Sequence, residues 1–146
     1  MKEKTWNYAT PPTSSVPAPY IEIVVHTLDR SLKYPIEGTL SAMVDTGFDG
    51  YLIIPINIFQ ELRLDQYEVP PDLIEVTETF SGETIKLRTS LAIVEIQGLL
   101  EKQVEIDTHE NCQEPLLGRL FLENLVTTLN GPKRKTKVST QGELSG

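Results

Sequence analysis

Residues 73–98, LIEVTETFSGETIKLRTSLAIVEIQG, constrain the fold most. IEVTETF and TIKLRTSLAIVEI are rich in β-branched residues. They flank Ser81-Gly82-Glu83, which suits the tip of a hairpin. Shorter runs of the same character recur on both sides. YIEIVV (20–25) and TLSAMV (39–44) read as strands, with the turn-like DRSLKYPIEG (29–38) between them. YLIIP (51–55) reads as a short buried strand ended by proline, KQVEIDT (102–108) as an alternating strand and VTTLN (126–130) as a last one. Two segments break the β pattern. In PINIFQELRLD (55–65), Ile56, Phe59 and Leu62 lie about one helical turn apart behind a proline suited to a helix start, which predicts a short helix. EPLLGRLFLENL (114–125) predicts a short apolar run to Gly118 and then a second helix. No repeat of ~20–50 residues is present. Many short strands with two small helices predict a compact, mostly β domain.

A chain of 146 residues supports one domain with a real core and is too short for two comfortable ones. Residues 1–19 are rich in Pro, Ser and Thr and read as an extended arm. Residues 20–130 read as the domain. Residues 131–146, with the basic run PKRKTK (132–137), read as a polar tail, solvated and disordered. The net charge of −8 argues against nucleic acid as the main partner, since phosphate binding needs a basic surface. No apolar run approaches the roughly 18–20 residues that cross a bilayer. The first 15 residues lack the apolar stretch of a secretory signal, so a cytoplasmic protein is expected. Cys112 is the one cysteine, which excludes an intrachain disulfide, and as a nucleophile it would have only His26 and His109 to serve as base.

The chemistry concentrates in SAMVDTGFDGYLIIP (41–55), where an apolar strand runs into Asp45-Thr46-Gly47, turns, and becomes apolar again. Asp-Thr-Gly alone is a turn in many proteins. Here AMV buries the approach to the acid, Gly47 permits a sharp turn and leaves space beside the carboxylate, and Thr46 supplies a hydroxyl that can fasten a loop. Leu52, Ile53, Ile54 and Leu117 are candidates for either pocket lining or core. DTHENC (107–112) gathers Asp107, His109, Glu110 and Cys112, but its spacing matches no closed zinc pattern and a polar loop explains it, so no metal site is expected. His26, at a strand end, reads as a packed or surface histidine.

VDTGFDGYLIIP, the hairpin of 73–98 and LLGRLFLENL, in that order, resemble the retropepsin-like aspartic proteases, and the small prokaryotic members in particular. The resemblance covers about residues 20–130. It implies a retropepsin-like closed β-barrel-type domain that works as a homodimer without a cofactor, hydrolysing a peptide or protein substrate. It implies that Asp45 is the catalytic acid, that the Thr46 hydroxyl grips the loop of the partner copy, and that Gly47 lies where substrate backbone docks. It further implies that Asp49 and Arg119 pair within one chain, and that Ser81, Gly82 and Glu83 form the tip of a flap. Leu120 stands where many members carry a polar residue. One Asp-Thr-Gly per chain is half of a two-carboxylate site, so a two-fold dimer is needed to complete it. Domains of this type also serve as dimerisation or peptide-capturing modules. An intact Asp-Thr-Gly argues against that alternative, since a pure binder has no need of a costly acid there.

Overall fold

A computed structural model describes residues 2–70, 76–78 and 84–140 of the chain. Its strands are β1 (Glu3–Asn7), β2 (Tyr20–His26), β3 (Lys33–Tyr34), β4 (Leu40–Val44), β5 (Leu52–Ile53), β6 (Val76–Glu78), β7 (Thr84–Lys86), β8 (Arg88–Ile96), β9 (Leu100–Thr108), β10 (Leu116–Leu117), β11 (Val126–Asn130) and β12 (Lys135–Ser139). The helices are α1 (Ile56–Glu61) and α2 (Arg119–Leu122).

Six strands in the order β2-β4-β10-β5-β9-β8 form a barrel that closes where β8 returns to β2, and β3 adds to the outer side of β2. Most neighbours are antiparallel, but β10 runs parallel to β4 and β5 parallel to β9. The interior is filled by alternate residues: Ile21, Ile23 and Val25 from β2, Ala92, Val94 and Ile96 from β8, and Val104 and Ile106 from β9. β2 is also buried at Tyr20 and Val24, so it carries a nearly continuous apolar run rather than a strict alternation. Two buried hydroxyls on this framework are satisfied by main-chain carbonyls, Thr108 Oγ1 by Ile54 at 2.7 Å and Ser90 Oγ by Leu64 at 2.6 Å.

The helix expected over 55–65 is shorter than its pattern. α1 ends at Glu61, Arg63 takes the left-handed conformation (φ 53°), and Leu64–Tyr67 form a single 3-10 turn. Leu62 and Leu64 both belong to the core. Two residues apart, they cannot share one helical face, so the chain breaks between them to turn both inward.

The C-terminal segment departs from expectation. Residues 131–140 are not a disordered tail. The chain turns after Asn130 and returns as β12, which pairs with β11 on one side and with β1 of the N-terminal arm on the other. KTKVS buries Thr136 and Val138 and exposes Lys135 and Lys137, and Trp6 of β1 packs against the same core. The lysines are thus the outer half of an alternating strand. Residues 141–146 lie outside the described residues.

β6 and β7 pair antiparallel, as the hairpin reading requires. Its base is clamped. Arg88 donates to both carboxylate oxygens of Glu68 at 2.9 Å, and the Val69 N–H bonds the Thr89 carbonyl at 2.7 Å. The Arg88 guanidinium also lies 5.2 Å from the centre of the Phe59 ring. The Arg88 hydrogen bonds hold the Glu68 carboxyl below its ordinary value of 4.5, with burial opposing them. A depressed carboxyl stabilises the fold above the ordinary value, and that contribution is lost as pH falls through the folded value. Glu68→Gln is therefore expected to cost ~1 kcal/mol at pH 7. Its deficit against wild type should shrink as pH falls below the ordinary carboxyl value of 4.5 and through the lower folded one, read by urea denaturation at pH 7 and at acid pH.

Candidate active site

β4 delivers Asp45 to its place. The last residues of β4 are fixed by carbonyls of two prolines, Met43 N–H to Pro115 at 3.0 Å and Val44 N–H to Pro19 at 3.0 Å. The chain then turns, with Phe48 N–H to the Asp45 carbonyl at 3.2 Å, and runs through residues 49–51 into β5. The Asp45 side chain is half-buried, and its Oδ1 accepts the Gly47 N–H at 2.9 Å. A Cβ on residue 47 would press on that oxygen at 3.2 Å, so glycine leaves the carboxylate free space.

The loop is braced from beneath by the late apolar motif. β10 lies between β4 and β5, pairing Leu116 with Met43 and Ile53, and Leu117 with Val44 and Leu52. Four further main-chain bonds tie the two segments: Asp45 N–H to Leu117 (2.9 Å), Gly118 N–H to Tyr51 (3.0 Å), Arg119 N–H to Phe48 (2.9 Å) and Leu120 N–H to Gly50 (3.1 Å). Gly118 sits where the approach is tightest. A Cβ there would lie 2.3 Å from the Gly50 carbonyl oxygen and 2.7 Å from that of Phe48. Sequence reasoning gave Phe48 no role, although it stands inside the motif. Its ring covers Gly50 and its carbonyl receives Arg119.

Thr46, Gly47 and Asp49 are exposed on this loop, and Arg119 is exposed at the start of α2. The expected Asp49–Arg119 pair is not formed: no ion pair joins them among the described residues. The main chain of Arg119 does the bracing instead, because its N–H is committed to Phe48 while its side chain is left to solvent. Leu52, Ile53, Ile54 and Leu117, the alternatives for pocket lining, are all buried core. The tip residues Ser81, Gly82 and Glu83 lie outside the described residues.

The other candidates do not converge on Asp45. His109 Nδ1 accepts the Asn111 N–H at 3.0 Å, and Cys112 Sγ contacts the Glu114 carbonyl at 3.3 Å. Burial pushes the Cys112 thiol up to about 11, which suits a packed side chain and not a nucleophile. At pH 8 it is expected to react with a thiol reagent roughly a hundredfold more slowly in native than in denatured protein, measured under matched reagent concentrations. Asp107 of β9 lies beside the loop: its Oδ1 accepts Thr89 Oγ1 at 2.7 Å, and its Oδ2 would lie 3.2 Å from a Cβ on Gly50. Among the described residues, no helix is long and apolar enough to cross a membrane.

No family model matches the sequence. An uncharacterized protein of Archaeoglobus fulgidus is 30% identical over 122 residues, which span 84% of this chain and 94% of that protein. Among solved structures, the crystal structure of a retropepsin-like aspartic protease from Rickettsia conorii aligns with a TM-score of 0.54 at 17% identity, covering 94% of this chain and 91% of that one. The chain belongs to the same family as the Archaeoglobus fulgidus protein, and its closed barrel with two short helices is the retropepsin-like fold.

Proposed function

We propose that the protein is an aspartic endopeptidase whose site is completed by a homodimer, with one Asp45 from each copy. The observation that carries this reading is the placement of a single Asp-Thr-Gly at the end of β4, on a loop pinned by main-chain bonds to the Leu116–Leu120 segment. In aspartic proteases as a class, two carboxylates share one proton around a water. One acts as base on the water and the other, protonated, polarises the scissile carbonyl. A single chain supplies one such carboxylate, so the second comes from a second copy about a two-fold axis.

Several features support that pairing. Thr46 and Gly47 are exposed in the single chain, as residues that meet a partner loop and a substrate would be. β11 is an edge of the three-stranded sheet, with Val126 and Leu129 exposed along it and Leu120 exposed on the adjoining α2. An open apolar edge is disfavoured in water and suits self-association. The substrate is an extended peptide added as a strand over the Asp45 loop, with the β6–β7 hairpin as its proposed flap. Asp49 and Arg119, unpaired with each other, are exposed beside the Asp45 loop.

The test joins two measurements. Peptide-library cleavage at mildly acid pH should be present and blocked by pepstatin, and sedimentation should give a dimer at assay concentration. A monomer at every accessible concentration, or cleavage indifferent to pepstatin, rejects the reading. A dimer that binds peptides without cutting them identifies a peptide-capturing module instead.

A further inference from the structure

The barrel closes at the seam between β2 and β8, where only three register pairs join the strands: Val24 with Glu95, Val25 with Val94 and His26 with Ile93. The outer end of this seam gathers three side chains capable of binding metal. His26 ends β2, Glu95 lies on β8, and Glu101 lies directly opposite Glu95 on β9. His26 Nε2 is 2.8 Å from Glu95 Oε1, and one ligand atom from each of the three residues falls within 4.8 Å of the others. Like charges directly opposed across a strand pair repel, so the Glu95–Glu101 register calls for a cation. Arg30 supplies one, but unevenly: it bonds Glu101 Oε2 at 2.7 Å and reaches Oε1 only at 3.4 Å. That leaves lone pairs on both carboxylates and one on the imidazole ring.

We propose that His26, Glu95 and Glu101 form a divalent-cation site that staples the barrel seam, independent of the Asp45 chemistry. One imidazole nitrogen and two carboxylate oxygens suit Zn2+ or a similar borderline ion, with water completing the coordination. The ion binds the Nε2 lone pair of the neutral ring, whose single N–H then sits on Nδ1. All three ligands stand on hydrogen-bonded strands, so their Cα positions are set by the fold. His26 and Glu95 are half-buried, with side-chain exposures of 15% and 25%. Zn–ligand bonds of about 2.1 Å place ligand atoms roughly 3.4 Å apart, and rotation of the exposed Glu101 side chain closes that difference.

The experiment is titration of the metal-stripped full chain with ZnCl2, followed by calorimetry and by thermal unfolding. One ion per chain is expected, with a rise in Tm. His26→Ala and Glu101→Gln should each weaken binding by about 10- to 100-fold and remove the Tm rise, while His109→Ala leaves both unchanged. Glu101→Gln keeps the inference testable if His26→Ala fails to fold, which circular dichroism will show. No binding by the wild-type chain at 100-micromolar-order Zn2+, or binding that survives Glu101→Gln and is lost in His109→Ala, overturns the proposal.

Discussion

Asp45→Asn is expected to abolish peptide hydrolysis, lowering kcat/KM by at least about 10^3-fold, while the dimer stays folded. The substitution keeps the side-chain shape and an oxygen that can still accept the Gly47 N–H, now 2.9 Å from Oδ1. The loop should therefore hold its geometry. An amide cannot serve as base to the water, and because each copy of the proposed dimer would contribute the same residue, both halves of the proton-sharing pair would be lost together. The checks are a cleavage assay against the best library peptide and sedimentation of the mutant. A mutant that forms the wild-type dimer and still cleaves at near wild-type rate removes Asp45 from the chemistry. Retained peptide binding alongside lost cleavage is the expected pairing of results.

Gly118→Ala is expected to destabilise the fold by at least about 3 kcal/mol, the largest effect of an added methyl among the described glycines. The new Cβ would meet the Gly50 carbonyl at 2.3 Å and the Phe48 carbonyl at 2.7 Å. These are main-chain atoms held by bonds to Leu120 and Arg119, so no side-chain rotation relieves the clash. Either the loop carrying Asp45 lifts off β10, or the strand does. Gly131→Ala is the control: nothing lies within 4 Å of its Cβ, and its stability should change by less than about 0.5 kcal/mol. Urea denaturation of the two variants decides. Equal stabilities would mean that the packing of the loop on β10 is looser than these distances require.

Much of this was legible in local pattern. β2, β4, β9 and β11 fall where β-branched runs put them, and β9 also buries every second side chain, as a strand with one buried face must. α2 follows Gly118 as the apolar run and glycine implied. The C-terminal strand was hidden by composition. PKRKTK reads as solvated charge, yet KTKVS pairs along its whole length with β1 and β11 and buries Thr136, Val138 and Ser139. Such a strand holds only through its neighbours, one of which is more than 120 residues earlier in the chain, and no local window contains them. The expected Asp49–Arg119 pair failed for a related reason. Residue type permits an ion pair, but the direction of each side chain is set by how the main chain is anchored, and Arg119 is anchored to Phe48.

What the amino-acid order determined by itself was the inventory: an acid between an apolar strand and a glycine, a late glycine-arginine step, and the period of each strand. Those follow from local sterics and from the need to bury every second side chain. Only the tertiary structure decided that β10 would slide between β4 and β5 beneath that acid, that the two termini would share a sheet, and that His26 would meet Glu95 and Glu101 at the barrel seam. Those contacts join residues tens of positions apart, and they exist because closing the barrel buries its apolar faces together.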